Sequence, residues 1–198
     1  MALREDPLYG RLPPGLEDDA MEFALKTGEA AADAMLRQYG RHPRQLADKL
    51  GVVVRESDER GQAGKTVFFS EYAERPPTIT LYTRSFETVN RLVHENGLEG
   101  LLGADDVGPI HLAHELYHHL EAKKLTPGAN RFRVTSHRLG PIKMETGLPS
   151  LSEIAADRFA QDLLGLPLAP KAFSFIIIYS HDPDYAWSLL RQMQALPA

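Results

Sequence analysis

The segment that most constrains how this chain can fold is the run His114-Glu115-Leu116-Tyr117-His118, which reads H-E-x-x-H. On an α-helix, residues four positions apart share a face, so His114 and His118 can bind one metal ion. Glu115 would then lie beside the ion, where its carboxylate can take a proton from a metal-bound water. The alternative is an amphipathic helix whose histidines are only surface groups, and the surrounding sequence has to distinguish the two.

The residues around this motif predict a helix over about 109–124. Gly108-Pro109 precedes it, and proline suits a first helical turn because its missing N–H would be unpaired there. Asp105 and Asp106 place negative charge just before the helix start. Apolar residues recur at three- and four-residue spacing, which predicts a buried stripe: Ile110, Ala113, Leu116, Tyr117 and Leu120. Lys123, Lys124 and the run Thr126-Pro127-Gly128 end the helix.

A second segment offers a third metal ligand, which a catalytic zinc site usually requires. Residues 150–164 have helical spacing, with Pro149 and serines at the start and Gly165 at the end. Glu153 and Asp157 are one turn apart on this helix. Glu153 could bind a metal through a carboxylate oxygen, and Asp157 could accept a hydrogen bond from the outer nitrogen of a ligating histidine. The alternative is that both are solvent-facing acids at a helix start.

The two segments together resemble the ImmA/IrrE family of zinc metallopeptidases, within the gluzincin group. Residues 112–118, Leu-Ala-His-Glu-Leu-Tyr-His, are similar to the family's L-A-H-E-L-G-H. Residues 153–160 with Leu163-Leu164 resemble its E-x-E-A-N/D-x-F-A-x-x-L-L, and residues 46–54 look like its first helix and first strand. The likeness covers roughly residues 30–170. Tyr117 stands where the family has glycine, and Ala155 replaces the second acid of the downstream motif.

The resemblance implies that Zn²⁺ is held by His114, His118 and Glu153 and that Glu115 is the proton acceptor for hydrolysis of a peptide bond. Asp157 and His111, which lies one turn before His114, are the expected supporting residues around these ligands. His119 points about 100° away from His118 and is expected at solvent or at the edge of the core. Four residues are candidates for stabilising the oxyanion that develops during hydrolysis: His137, Tyr179, His181 and Arg131.

Three functions are compatible with these features. The first is a regulatory zinc endopeptidase that acts on a repressor-type or other cytoplasmic protein, with helix-turn-helix repressors among the candidate substrates. The second is a metal-binding regulatory module that cleaves nothing, which a large Tyr117 ring crowding the site would favour. The third is a toxin-like or phage-associated protein-interaction module. The intact Glu115 favours the first, because a pure binding protein needs no proton acceptor there.

Composition excludes several kinds of site. The 198 residues include no cysteine, so neither a disulfide nor a thiolate zinc site can form, which also suits a reducing cytoplasm. The net charge of −5 weighs against direct nucleic-acid binding. Residues 43–53 resemble the first helix of a helix-turn-helix, but a valine run follows instead of a basic recognition helix. Residues 172–179 are too short an apolar run to span a bilayer and are expected to be buried, and no signal peptide is expected.

Hydrophobic residues make up 43% of the chain, enough for a core, and the pattern of elements predicts an α+β fold. A small mixed or antiparallel three-stranded sheet, from residues 52–54, 65–72 and 78–83, is expected to pack against a helical bundle that carries the HExxH helix. Further helices are predicted over 16–39, 43–50 and 85–96, with two more at the C-terminus. Residues 1–15 are predicted to form an extended arm, 16–198 a single domain and 125–150 a long loop. Strands 65–72 and 78–83 could offer an edge to which an extended peptide adds.

Overall fold

The fold of the protein was obtained as a computed structural model that describes residues 2–59, 61–63, 66–128, 132–139 and 142–194. Its helices are α1 Glu17–Tyr39, α2 Pro43–Leu50, α3 Thr83–Glu95, α4 Glu99–Leu102, α5 Gly108–Ala122, α6 Pro149–Leu164, α7 Lys171–His181 and α8 Pro183–Gln194. Its strands are β1 Val53–Ser57, β2 Gly61–Ala63, β3 Thr66–Phe68, β4 Ser70–Glu74, β5 Pro77–Tyr82, β6 Arg133–Leu139 and β7 Ile142–Gly147. The predicted α+β fold is confirmed, and α5 carries the HExxH motif.

The three-stranded sheet is mixed and has the order β1-β5-β4. β5 lies in the centre, parallel to β1 and antiparallel to β4. Ile79 and Leu81 of β5 are buried, as their alternation predicted. Because β5 is central, the predicted peptide-binding edge at 78–83 is wrong, whereas β4 keeps an outer edge that no described strand pairs with. The first strand is also less buried than predicted, since Val53 is half exposed.

Helix α5 starts where side chains satisfy its first backbone N–H groups. The Asp106 carboxylate accepts a hydrogen bond from the N–H of Gly108 at 2.9 Å, and the Asn90 side-chain oxygen accepts one from the N–H of Val107 at 3.0 Å. The stripe predicted from the sequence is buried, including Leu116, Tyr117 and Leu120 at 0–1% exposure. This burial leaves the opposite face of the helix, with His114 and His118, directed toward α6 and the sheet.

Helix α6 is held between α5 and α1. Gly28 of α1 faces the backbone of α6 so closely that a Cβ there would collide with the carbonyl oxygen of Ala155 and crowd Cβ of Arg158. Glycine therefore permits the close approach of the two helices. Gly165, with φ of +70°, ends α6 in the left-handed conformation, as predicted.

Three parts of the chain differ from the sequence predictions. The predicted loop 125–150 contains an antiparallel hairpin of β6 and β7. The sequence pattern of these strands is weak because they contain few apolar residues and one of these, Met144, is exposed. The predicted strand 65–72 is two strands, β3 and β4, interrupted at Phe69. The predicted extended arm is wrong in conformation, because two short 3₁₀ helices form at Ala2–Glu5 and Tyr9–Arg11 while Leu3 and Leu12 are buried in the core.

The C-terminal apolar run forms most of α7 and is only partly buried. Phe173 is 4% exposed, whereas Tyr179 is 47% exposed and lies edge-on to Trp187 of α8. The prediction of a wholly buried element is therefore wrong. Among the helices in the described ranges, none has the length and the apolar character needed to cross a membrane.

Candidate metal centre

Two helices bring three potential ligand atoms to one point. His114 and His118 are one turn apart on α5, and Glu153 faces them from α6. Nε2 of His114 lies 3.2 Å from Nε2 of His118 and 3.2 Å from Oε2 of Glu153. Nε2 of His118 lies 3.4 Å from Oε1 of Glu153. The three residues that the sequence singled out as metal ligands are therefore brought together.

The separations between these atoms match a tetrahedral metal site. With metal–ligand bonds of about 2.0–2.1 Å, the edge of a tetrahedron is about 3.3–3.4 Å. The two Nε2 atoms lie 3.2 Å apart, and each lies 3.2–3.4 Å from a different oxygen of the Glu153 carboxylate, Oε2 for His114 and Oε1 for His118. Two imidazoles and one carboxylate form a donor set typical of catalytic zinc, which keeps its fourth position for water. The residues present thus fit a zinc ion without rearrangement of the helices.

Asp157 holds His114 in the orientation that metal binding needs. Its Oδ1 lies 3.0 Å from Nδ1 of His114, and a carboxylate can only accept, so Nδ1 carries the proton and Nε2 faces Glu153. Burial by itself lowers the pKa of His114, but the hydrogen bonds with Asp157 and Glu153 outweigh it and raise the pKa to about 10. The hydrogen bond from His114 in turn lowers the pKa of Glu153. Such a site favours a cation at Nε2, whether a proton or a metal ion.

His118 is oriented by a different pair of residues, which the sequence did not single out. Ser152 Oγ donates a hydrogen bond of 2.5 Å to Oε2 of Glu121 and lies 3.3 Å from Nδ1 of His118. Because its one proton goes to Glu121, the serine oxygen can only accept from the histidine, so Nδ1 carries the proton here as well. Nε2 of His118 therefore faces Glu153. Separate partners thus place a proton on Nδ1 of both histidines and turn both Nε2 atoms toward Glu153.

Glu115 is held beside the ligands by the sheet. Its side chain is almost fully buried, and Oε1 accepts a hydrogen bond of 2.8 Å from Oγ of Ser70, the first residue of β4. Glu115, His114 and Glu153 line one cavity of about 300 Å³. A carboxylate with one oxygen held by a donor and a cavity beside it is suited to accept a proton from a bound water. Ser70 lies 45 residues before Glu115, so sequence spacing carried no signal for this contact.

Tyr117 packs behind His118, with its ring edge-on to the imidazole at 6.1 Å, and not into the cavities of the site. Its ring is fully buried in the core, 5.9 Å from the ring of Phe159, and burial raises its pKa. It lines neither the cavity at Glu115 nor a second cavity beside His118. The observation that would have favoured a non-catalytic module is therefore not found among the described residues.

The two other histidines of α5 have separate places. His111 lines the cavity, but its ring stacks on Phe69 at 4.7 Å, and no hydrogen bond to the ligands is found among the described side chains. Burial, with a smaller contribution from the charge on His114, lowers the pKa of His111 to about 3. His119 is no ligand, but it is buried against Tyr72, whose hydroxyl lies 2.9 Å from its Nδ1, rather than at solvent.

Of the four candidate oxyanion donors, only Tyr179 has a side chain among the described residues. Tyr179 lies on the exposed side of α7 and does not line the cavity. Arg131 lies outside the described residues, and the same holds for the side chains of His137 and His181. Among the residues that the structure describes, Lys171, the first residue of α7, is a further cation that lines the cavity, and its charge also contributes to lowering the pKa of Glu153.

Comparison of the chain with protein-family models, with curated proteins and with solved structures finds no match. The description of the site therefore rests on the positions of its own side chains.

Proposed function

We propose that the protein is a zinc-dependent metallopeptidase that hydrolyses peptide bonds at the centre formed by His114, His118 and Glu153. The observation that carries this proposal is the convergence of three side chains, with Nε2 of the two histidines 3.2 Å apart and each 3.2–3.4 Å from one oxygen of the Glu153 carboxylate. Asp157 and Ser152 turn these Nε2 atoms toward Glu153. A pure structural salt-bridge cluster has no need of two separately oriented histidines. The resemblance of the two motifs to ImmA/IrrE metallopeptidases supports the same function.

Each residue has a defined part in the proposed reaction. The chemistry that zinc supplies when bound is Lewis acidity toward a water molecule and a peptide carbonyl. Glu115 accepts the proton of the attacking water and passes it to the nitrogen of the leaving amine. The hydrogen bond from Ser70 keeps the Glu115 carboxylate turned toward the cavity. Asp157 and Ser152 keep the histidine rings in place while the charge at the centre changes.

The path of the substrate follows β4. Phe69 and Ser70 line the cavity at Glu115, while Tyr72 and Glu74 of the same strand line a second cavity beside His118. An extended polypeptide added to the outer edge of β4 passes both cavities and the ligands between them. Main-chain hydrogen bonds would then hold the substrate, and the cavities would receive its side chains.

The proposed substrate is a protein of the cytoplasm, with repressor-type regulators as the first class to test. The absence of cysteine in a chain of 198 residues suits that compartment. The net charge of −5 makes direct action on nucleic acid a poor alternative.

Metal analysis tests the centre. Protein purified without chelators, or loaded with zinc and desalted, is expected to hold one zinc ion per chain, and Glu153→Ala is expected to lose most of it. Asp162→Ala, on the same helix but bound to Arg158, serves as the matched control and keeps its zinc. Wild-type protein that cannot be loaded to one equivalent would rule out the centre.

Cleavage of candidate proteins tests the reaction. Zinc-loaded wild type is incubated with helix-turn-helix repressors and with a denatured protein mixture, and new termini are identified by mass spectrometry. Glu115→Gln should bind zinc as the wild type does while cleavage falls by about 10²–10⁴-fold, the usual contribution of a general base. Equal cleavage by the two proteins would show that Glu115 is not the proton acceptor.

A further inference from the structure

The cavity beside Glu115 has a polar side and an apolar side. The polar side consists of the ligands His114 and Glu153, with Glu115 and Asp157. The apolar side is formed by buried side chains with 1–4% exposure: Val89, Val107, Ile110 and Phe173. The second cavity, beside His118, has no comparable wall of buried aliphatic residues and is lined by polar side chains such as Tyr72, Glu74, Glu121 and Ser152. The two sides of the metal centre therefore offer different environments.

Two aromatic rings, Phe69 and His111, line the apolar side, and the ring of Phe86 is parallel to both from outside the lining. His111 stacks on Phe69 with ring centroids 4.7 Å apart and 3° between the planes, and on Phe86 at 5.6 Å and 7°. Phe69 and Phe86 are themselves parallel within 4°. The imidazole of His111 is neutral because burial lowers its pKa to about 3. His111 is thus an uncharged aromatic residue of the cavity lining, held in place by stacking.

The carboxylates that line the cavity already have hydrogen-bond partners: Glu153 and Asp157 contact His114, and Glu115 contacts Ser70. Among the described residues, the other titratable groups of the lining are His111 and Lys171. Lys171 is exposed at the start of α7 and opposes entry of a lysine or arginine side chain. Burial of an unpaired charge among Val89, Ile110 and Phe173 is costly, whereas burial of apolar surface is favourable. A volume of about 300 Å³ lies at the lower end of the range for ligand pockets, a size for one side chain.

From these observations we infer that the cavity is the specificity pocket for one substrate side chain next to the scissile bond. The preferred side chain is large, uncharged and best aromatic, and His111 determines this preference. The inference rests on the proposed metallopeptidase function. It also predicts an asymmetry, since only one side of the scissile bond meets the apolar wall. The residue on the other side is expected to tolerate polar side chains.

Binding of small chelating probes tests the pocket without requiring cleavage. N-acetyl hydroxamates of phenylalanine, alanine and lysine are titrated into zinc-loaded protein by calorimetry. The phenylalanine compound is expected to bind at least about tenfold more tightly than the alanine compound, the scale set by a few buried carbon atoms. The lysine compound is expected to bind no better than alanine. Equal binding of phenylalanine and alanine compounds, or a preference for lysine, would overturn the inference.

Two pairs of variants assign the preference to the pocket. His111→Ala is expected to reduce the preference for phenylalanine by about three- to tenfold, while His111→Phe keeps the ring wall and retains it. Val89→Leu adds volume inside the cavity and is expected to weaken binding of the phenylalanine compound selectively. Val93→Leu adds the same volume one turn along α3, where the fully buried side chain does not line the cavity, and serves as the control. Zinc content and thermal midpoint confirm that each variant is folded. An unchanged preference in both His111→Ala and Val89→Leu would place the pocket elsewhere.

Cleavage then separates this inference from the function on which it rests. Zinc-loaded wild type and Glu115→Gln are incubated with a random-sequence decapeptide mixture, and the cleaved bonds are read by mass spectrometry. Cleavage with enrichment of phenylalanine, tyrosine, leucine or methionine on one side of the bond supports both proposals. Cleavage without such enrichment contradicts the pocket alone. Retention of the hydroxamate preference with no cleavage above the Glu115→Gln level contradicts the peptidase activity alone, and a protein that takes up no zinc overturns both.

Discussion

Replacement of Asp157 by alanine should weaken zinc binding although Asp157 is not itself a ligand. The lost contact is a hydrogen bond of 3.0 Å between Nδ1 of His114 and a carboxylate that is 28% exposed. A hydrogen bond to a charged group is worth about 1.5–3 kcal/mol, and each 1.4 kcal/mol corresponds to tenfold in affinity. The expected loss is therefore about 10–100-fold, the usual effect of removing a carboxylate that supports a ligating histidine.

The size of this loss should depend on pH. In the metal-free wild type, hydrogen bonds with Asp157 and Glu153 outweigh burial and raise the pKa of His114 to about 10, so zinc must displace a proton at neutral pH. Without Asp157 the pKa of His114 is lower, and the variant suffers less from this competition. The zinc affinity of the variant should thus stop rising at a lower pH, whereas the zinc affinity of the wild type continues to rise. The difference between them is expected to be larger at pH 8.5 than at pH 6.5.

The assay is competition for zinc with a chromophoric chelator at both pH values. Asp162→Ala is a matched control, because Asp162 lies on the same helix at 24% exposure and is bound to Arg158 instead of a ligand. Ser152→Ala gives a graded comparison, since a neutral hydrogen bond of 3.3 Å is worth only about 0.5–1.5 kcal/mol. The expected order of loss is Asp157, then Ser152, then Asp162. Equal losses for Asp157→Ala and Asp162→Ala would show that the hydrogen bond with Asp157 does not support zinc binding by His114.

Three further predictions test the surroundings of the site. Ser70→Ala, which removes the donor to Glu115, should lower kcat by about tenfold with little change in zinc content, and Ser57→Ala, a serine of β1, is the control in the same steady-state assay. Gly28→Ala should overpack the contact between α1 and α6 and destabilise the protein by about 1–3 kcal/mol, a fall of roughly 3–10 °C in thermal midpoint. Gly100→Ala, with open space around it, is the control and should not lower the midpoint. Calorimetry measures both variants, and equal midpoints would contradict the close packing of α1 and α6. Burial, and to a lesser extent the charge on His114, lowers the pKa of His111 to about 3, below its ordinary value of 6.5; its contribution to stability is therefore full above pH 6.5 and lost as the pH falls toward 3. Urea unfolding of the metal-free proteins at pH 7 and 4.5 should show that the free energy of unfolding changes less with pH in His111→Phe than in the wild type. An identical change in both proteins would exclude His111 as the source of the pH dependence.

Local pattern was sufficient for the helices that carry the metal centre. The apolar stripe of α5, its proline at the start and the charged residues at its ends predicted the helix, and a helix leaves His114 and His118 on one face whatever it packs against. The same argument placed Glu153 and Asp157 on one face of α6, which proline begins and Gly165 ends. These features depend on residues within one or two turns of each other, so a single sequence contains them.

Strand pairing was harder to predict from the sequence than the helices were. The sequence predicted a three-stranded sheet but left its pairing open and assigned an edge to 78–83, which is the centre. The hairpin of β6 and β7 was missed because its alternation of apolar and polar residues is weak. Pairing partners are chosen by contacts between distant segments, which neither propensity nor periodicity records.

The candidate ligands of the metal centre could be named from the sequence, since a chain without cysteine offers only histidine and carboxylate ligands and H-E-x-x-H on a helix groups two histidines. The contacts that hold these ligands come from the packing of distant segments. This packing brought Ser70 to Glu115 across 45 residues, placed Ser152 and Glu121 behind His118, and turned Tyr117 into the core. The physical reason is that a helix fixes the spacing of its own side chains, whereas the partners that orient them come from other elements, whose approach depends on packing such as that of Gly28 against α6.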